Sequence, residues 1–377
     1  MAPAYEPVID QHDTWIAVNP VQGCPKDCAY CYLKDLGLTL AKPTELATPA
    51  QTLTQLLASR YYHPSLVLAL YTCTDALATP RTRAHLSTLL DVLGDSPARN
   101  PVCLITKCTV TDDIVAAITR NQAKGLRVIV YLSYSGLGPD IERGIDHEAL
   151  RGNFPRLQAA GIPVIHYWRP ALPQNSTPAV IESVMHLASQ YAACSVAVGT
   201  KVKPTAKEQI AALWPELTNP ALDPQTADSV WPRATWNWLR ERPSRYDTHP
   251  IYQTNCCALA YVLGEADHGC IWNTPTCLNA NHCPPVQRER CATLLPLQAP
   301  VTPDQIRDRL SVIGHSNLPH TYDGQTRTLV LHEAVPLRDQ HNLAQVLRLT
   351  VRAPQVPGER YWSGNRAGSS PLIVDPR

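Results

Sequence analysis

Apolar and polar positions along the first 214 residues fall into two alternating kinds of window. Short apolar runs occupy 14–21, 65–72, 102–106, 127–133, 163–168 and 195–199. Runs of that length read as buried strands. Between them, at 48–60, 81–93, 111–124, 147–160 and 176–191, apolar residues recur every three or four positions, as in a helix that buries one face. A sixth such window follows Lys203. Thr111 ahead of Asp112 and Asp113, and Ser176 ahead of Pro178, predict helix starts. Gly125 and Gly161 stand where a left-handed helix end precedes a strand. Six strand–helix units in series predict an α/β fold on a parallel sheet with right-handed crossovers.

Past residue 214 the pattern changes. Residues 215–228 are proline-rich and lack an apolar period, which predicts a linker. Trp231, Trp236 and Trp238 lie at the spacing of a packed aromatic helix. Residues 303–312 read as helix, 328–332 as strand, 338–347 as helix and 348–352 as strand, together a small α/β cap. The tail from Trp362 reads either as a strand or as a flexible end. The predicted division is 1–214, 215–301 and 302–377.

Composition narrows the function classes. With 44% hydrophobic and 17% charged residues in 377, the chain is a globular one with a sizeable core. A formal net charge of +1 gives no global electrostatic case for binding nucleic acid or a membrane surface. The apolar runs are of strand length and too short to span a bilayer, and the first ten residues show no signal-peptide pattern. Thirteen cysteines without an export signal point to metal or redox chemistry in the reducing cytoplasm. No P-loop, dinucleotide glycine pattern or HExxH is present, so kinase, Rossmann and zincin readings have no residues to stand on.

The stretch that carries chemistry is Cys24-Pro-Lys-Asp-Cys28-Ala-Tyr-Cys31. Three thiols at this spacing bind three irons of a [4Fe–4S] cluster and leave the fourth open to a ligand that is not protein. A zinc knuckle is the alternative, but it calls for a fourth Cys or His at knuckle spacing, and His12 and His63 lie on other segments. The pattern resembles the radical SAM superfamily, in which reductive cleavage of S-adenosylmethionine (SAM) releases a 5′-deoxyadenosyl radical that abstracts hydrogen from a substrate. The resemblance implies a partial (β/α)6 TIM-like barrel, with chemistry at the C-terminal strand ends. Polar residues fall at those ends: Thr74 and Asp75, Thr106 and Lys107, Ser133, then His166, Tyr167 and Arg169.

The stretches CAYCYL, TCTDAL, LITKC and VYLSYSG are similar to the spore photoproduct lyase branch of that superfamily over roughly the first 200 residues. This implies Cys24, Cys28 and Cys31 as cluster ligands and Tyr30 near the adenine. It also implies Thr74, Asp75, Lys107 and Ser133 as SAM contacts, with Glu142 a further SAM or loop-ordering candidate. Lys107 suits the SAM carboxylate, Asp75 its amino group and Ser133 its ribose hydroxyls. The chain departs from the lyase at its hydrogen-returning cysteine. Thr72 stands there, and the thiol, Cys73, comes one residue later. Cys73 stands with Tyr30 and Tyr32 as a catalytic candidate, the alternative being a plain buried thiol, because on a strand that shift turns a side chain to the opposite face. Tyr30 and Tyr32 leave a tyrosine relay open, with packing as the alternative role of Tyr32.

Downstream, Cys256, Cys257, Cys270, Cys277, Cys283 and Cys291 crowd one short segment. Three readings stand: an auxiliary Fe–S cluster, a structural zinc site that also draws on His268 or His282, or unligated thiols. The spacing lacks paired C-x2-C knuckles, which favours Fe–S through Cys270, Cys277, Cys283 and Cys291, with Cys256 or Cys257 as a substitute. The expected function is a radical SAM enzyme served by an external donor of the flavodoxin or ferredoxin type, with the C-terminal region covering its mouth. Its substrate is expected to contain a nucleotide; a peptide or small metabolite is the alternative. A non-catalytic, metal-stabilised binding module is the rival of another class.

Overall fold

The computed structural model describes residues 3–202, 207–222, 229–241, 243–267, 283–294, 300–354, 356 and 371–375. An eight-stranded sheet runs through the first two thirds of the chain. Its strands are β1 (Ile9–Gln11), β2 (Ile16–Val18), β3 (Leu68–Leu70), β4 (Val102–Thr106), β5 (Val128–Leu132), β6 (Val164–Ala171), β7 (Cys194–Gly199) and β8 (Ile251–Tyr252). They stand side by side in chain order, parallel throughout except β1, which pairs antiparallel with β2. When spatial order follows chain order and crossovers are right-handed, all crossover helices land on one face. Those helices are Pro49–Ala58, Pro80–Asp95, Asp112–Ala123, His147–Ala159 and Pro178–Tyr191. Among the described residues no pairing joins β8 back to β1, so the wall is an open one.

Side-chain alternation divides the core in two. Leu68, Leu70, Val102, Leu104, Val128, Val130, Leu132 and Trp168 point outward and pack with helix residues such as Leu86, Leu90, Ile118, Leu150 and Phe154. Ala69, Cys103, Ile129, Tyr131, Ile165, Tyr167, Cys194 and Val196 point the other way. That inner face is covered by the helix Asn255–Leu263, through Cys256, Cys257, Ala258 and Leu259. Sequence patterning grouped these residues with the linker and the cysteine-rich segment. In the fold they complete the sheet and fill its concave side.

The C-terminal unit has its own core, formed by Ile306, Leu310, Leu329, Leu331, Leu343 and Leu349 among others. It adds a strand the sequence pattern missed, His320–Asp323, paired antiparallel with Thr328–Leu331. The unit docks on the N-terminal rim of the sheet, not over the mouth. Asn342 donates to Gln11 and to the Tyr61 carbonyl, and Tyr61 donates to Asp339 at 2.8 Å. Gln11 lies opposite Ile16, where β2 begins, so this rim is the one away from the cysteine loop. The tail supplies Leu372–Val374, which pairs with Val230–Pro232.

His166, a polar strand-end residue by sequence, belongs to the wall and is fully buried. Its Nε2 lies 2.7 Å from the Tyr134 carbonyl and its Nδ1 2.8 Å from Ser195 Oγ, which also reaches His249. Burial pushes its pKa down to about 4. The unfolded chain, titrating near 6.5, therefore binds the extra proton between those values, and stability falls as pH drops through this window. Urea unfolding of the wild type should lose roughly 3 kcal/mol more between about pH 6.5 and pH 4 than His166→Gln, which cannot titrate. Equal slopes for the two proteins would refute this.

Candidate active site

The cysteine loop leaves β2 through Val21–Gln22, which pairs with Thr44–Glu45. Gly23 follows at φ +99, and a Cβ there would meet the Lys42 carbonyl at 2.9 Å, so the turn admits only glycine. Three attachments then hold the loop. Cys24 donates its N–H to the Leu38 carbonyl at 2.7 Å, and Gly23 donates to the Cys73 carbonyl at 3.1 Å. Asp27–Cys28 forms a short antiparallel ribbon with Glu142–Arg143. Cys31 precedes the 3-10 turn Tyr32–Leu36.

Cys24, Cys28 and Cys31 form no disulfides, and the first two are buried. Burial pushes the Cys24 thiol up to about 11 and the Cys28 thiol up to about 12. Both are therefore neutral until a cation displaces their protons. The three sulfurs do not gather within 4.8 Å of one another, the spacing of ligands on a single ion. A four-iron cube spreads its thiolates more widely than a single ion does.

Glu142 joins the loop to the strand ends. It is fully buried. Its Oε1 accepts from Tyr30, from Lys107 Nζ at 2.8 Å and from Ser135 Oγ at 3.0 Å. Lys107 also donates to the Ser133 carbonyl and lies over the Tyr30 ring. Burial holds the Tyr30 phenol well above its ordinary pKa, so it remains a donor. The other Glu142 oxygen is buried without a hydrogen bond, with His147 Nδ1 at 3.7 Å. Asp75 accepts from Thr106 Oγ1, from the Lys107 N–H at 2.8 Å and from the Leu77 N–H at 3.0 Å. Thr74 donates to the Gly23 carbonyl at 2.6 Å. These two residues thus hold the loop and the strand ends in register. Thr106 was legible as a strand-end residue; Ser135 and His147 were not singled out by sequence, and only Ser135, two residues after Ser133, carried a signal.

Cys73 does not turn away from the loop. β3 ends at Leu70 and Tyr71 adopts φ +59, so strict alternation stops before the thiol. Cys73 is buried against Cys24, Cys31, Leu33 and Leu38. Tyr32 donates to the Thr72 carbonyl at 2.5 Å, and the Arg169 guanidinium lies 5.8 Å from its ring. Cys73 and Tyr32 therefore flank one side of the cysteine loop.

Of the downstream cysteines, Cys270 and Cys277 lie outside the described residues, as do His268 and His282. Cys283 Sγ is 4.0 Å from the Tyr252 hydroxyl, and Cys291 Sγ accepts from the Asp267 N–H at 3.4 Å. Cys256 and Cys257 gather with Asp267, with all three ligand atoms within 4.8 Å of one another. Cys283 and Cys291 belong to no such group among the described residues.

Removing one partner of the Lys107–Glu142 pair strands a buried charge. Lys107→Met should destabilise the protein by about 3 kcal/mol, and adding Glu142→Gln should recover part of that loss. A double-mutant cycle in urea checks the coupling; strictly additive losses would show that the pair is not coupled.

No protein-family model matches the chain, and no curated protein matches it. Among solved structures, it is similar to a spore photoproduct lyase mutant with bound AdoMet and dinucleoside spore photoproduct, at 14% identity and TM-score 0.42. That match covers 55% of this chain and 62% of the lyase. A further lyase mutant, with dinucleoside spore photoproduct, is 13% identical over 59% of this chain and 67% of its own, at TM-score 0.44. The cobalamin-dependent S-adenosylmethionine radical enzyme OxsB, with aqua-cobalamin and S-adenosylmethionine bound, is 12% identical. Its match covers 55% of this chain and 30% of OxsB, at TM-score 0.34. Radical SAM enzymes are thus among the solved structures to which the chain is similar.

Proposed function

We propose that this protein is a radical SAM enzyme. The observation that carries the proposal is the cysteine loop, with Cys24, Cys28 and Cys31 free of disulfides and the Cys28–Glu142 pairing setting it beside Lys107 and Tyr30. Three thiols spaced for more than one ion suit a [4Fe–4S] cluster with one iron left for a chelating ligand. The unbonded oxygen of Glu142 offers a further acceptor in the same place. Held by these thiols, a bound cluster would supply the single electron for reductive cleavage of SAM.

The chain's own groups have distinct tasks. Cys24, Cys28 and Cys31 hold the metal. Lys107, Tyr30, Ser133 and Glu142 bind and orient SAM, while Thr74 and Asp75 keep the loop and strand ends in place for that contact. Cys73 and Tyr32, on the flank of the loop, are the groups placed to return a hydrogen atom. The substrate contains a nucleotide: Arg169 stands 5.8 and 5.7 Å from the Tyr32 and Tyr167 rings, and a guanidinium between aromatic faces suits a phosphate and a base plane. The electron comes from an external flavodoxin- or ferredoxin-type donor in the cytoplasm. The cysteines of 256–291 hold a second metal centre, an Fe–S cluster or zinc.

Anaerobic reconstitution followed by iron, sulfide and 5′-deoxyadenosine assays tests the proposal. Cys24→Ala, Cys28→Ala and Cys31→Ala should each lose about four irons per chain and drop SAM cleavage to background. Background SAM cleavage by the reconstituted wild type, with iron unchanged in Cys24→Ala, would leave a non-catalytic, metal-stabilised binding module. Deuterium transfer from labelled peptides or small metabolites into 5′-deoxyadenosine, with none from nucleotides, would overturn the substrate class alone.

A further inference from the structure

Cys256 and Cys257 open the helix that fills the inner face of the sheet. Nine residues of helix rise about 13 Å. The helix ends at Gly264, in the left-handed conformation at φ +70, and its N–H is bonded back to the Tyr261 carbonyl. After this reversal the chain carries Asp267 back to the two cysteines at the start of the helix. Two consecutive thiols and a carboxylate well downstream in the chain are thereby brought together. All three residues are buried, and their ligand atoms lie within 4.8 Å of one another. A second helix, Pro285–Leu294, braces the returning chain. Gln287 donates to the Glu265 carbonyl at 2.9 Å, and the Asp267 N–H donates to Cys291 Sγ at 3.4 Å.

We infer that Cys256, Cys257 and Asp267 bind a single zinc ion. The inference deepens the reading of a second metal centre and decides between its two forms. Zinc accepts thiolates at about 2.3 Å and a carboxylate oxygen at about 2.0–2.2 Å, so tetrahedral ligand atoms stand less than about 4 Å apart. The three ligand atoms, within 4.8 Å of one another, are near enough for one ion to draw together, whereas Cys24, Cys28 and Cys31 form no such group. Three anionic groups in a buried site would repel one another, so the two thiols keep their protons until a cation takes the site. Binding displaces the thiol protons, and the ion then fastens the head of the inner helix to the chain that leaves its foot. Three protein ligands leave a fourth position, and Cys291, hydrogen-bonded to the Asp267 backbone, stands beside the group. The ion would stiffen the inner wall near the mouth, where Asn255 reaches the Tyr167 hydroxyl at 3.3 Å.

The test measures zinc and iron by mass spectrometry in four versions of the full chain: wild type, the Cys24/Cys28/Cys31→Ala triple variant, Cys257→Ser and Asp267→Asn. About one zinc per chain is expected in the first two, falling at least tenfold in both single variants after mild chelation. Cobalt added to zinc-depleted protein should give thiolate-to-metal charge-transfer absorption in the wild type and the triple variant. If Cys257→Ser fails to fold by circular dichroism, the near-isosteric Asp267→Asn decides. Folded wild type with neither zinc nor cobalt absorption would overturn the inference and leave a hydrogen-bonded thiol pair. About four irons with sulfide in the triple variant would replace the ion with a cluster. Full zinc retention in Asp267→Asn would move the ion elsewhere. Zinc present without any SAM cleavage by the wild type would sink the radical SAM reading and leave the zinc site standing.

Discussion

Glu142 has no exposed surface, and a carboxylate in that position persists only with charged and hydrogen-bonding partners around it. Its donors come from three separate parts of the chain: Tyr30 from the cysteine loop, Lys107 from the end of β4 and Ser135 from the segment after β5. Any displacement of the cysteine loop would therefore take a hydrogen-bond donor from a buried carboxylate. The antiparallel ribbon between Cys28 and Glu142 acts in the same direction. Backbone pairing and side-chain charge together fix where the three thiols stand relative to the strand ends, and the geometry of the site depends on both.

The inner face of the sheet imposes the second constraint. An open parallel wall covered by helices on one side leaves Ala69, Cys103, Ile129, Tyr131, Ile165 and Val196 to be shielded on the other. The helix Asn255–Leu263 covers them, which frees the strand-end side for chemistry. The unit around Leu310 and Leu343 instead closes the opposite rim, through Tyr61, Gln11 and Asp339. Apolar closure and the polar site are thus kept at different ends of the sheet.

Much of the fold is legible in the order of residues alone. The six strand windows of the first 200 residues coincide with β2 to β7 to within a few positions, and their flanking helices follow. The helix start read at Ser176 moves one residue, to Thr177, whose side chain caps the Val180 N–H. Strand and helix periods are local properties: they report which side of an element is apolar, and the chain carries that information within a dozen or so residues. The same holds for Cys24, Cys28 and Cys31, whose spacing within one loop limits what they can bind, and for Lys107, which a strand end presents whatever lies nearby.

Other features were set only when distant segments met. The sign of one backbone angle, at Tyr71, turned Cys73 toward the cysteine loop, where strand alternation had directed it away. Cys256 and Cys257 read as substitutes in a cysteine cluster, yet the return of the chain after Gly264 places them against Asp267, a residue no spacing rule had marked. The sequence alone determined the order of elements, their buried faces and the thiol motif, because each depends on residues close together in the chain. Which helix covers the inner face, where the small C-terminal unit docks and which thiols meet a carboxylate were decided by tertiary structure. Those outcomes depend on burying apolar surface and pairing charge between segments that the sequence holds far apart.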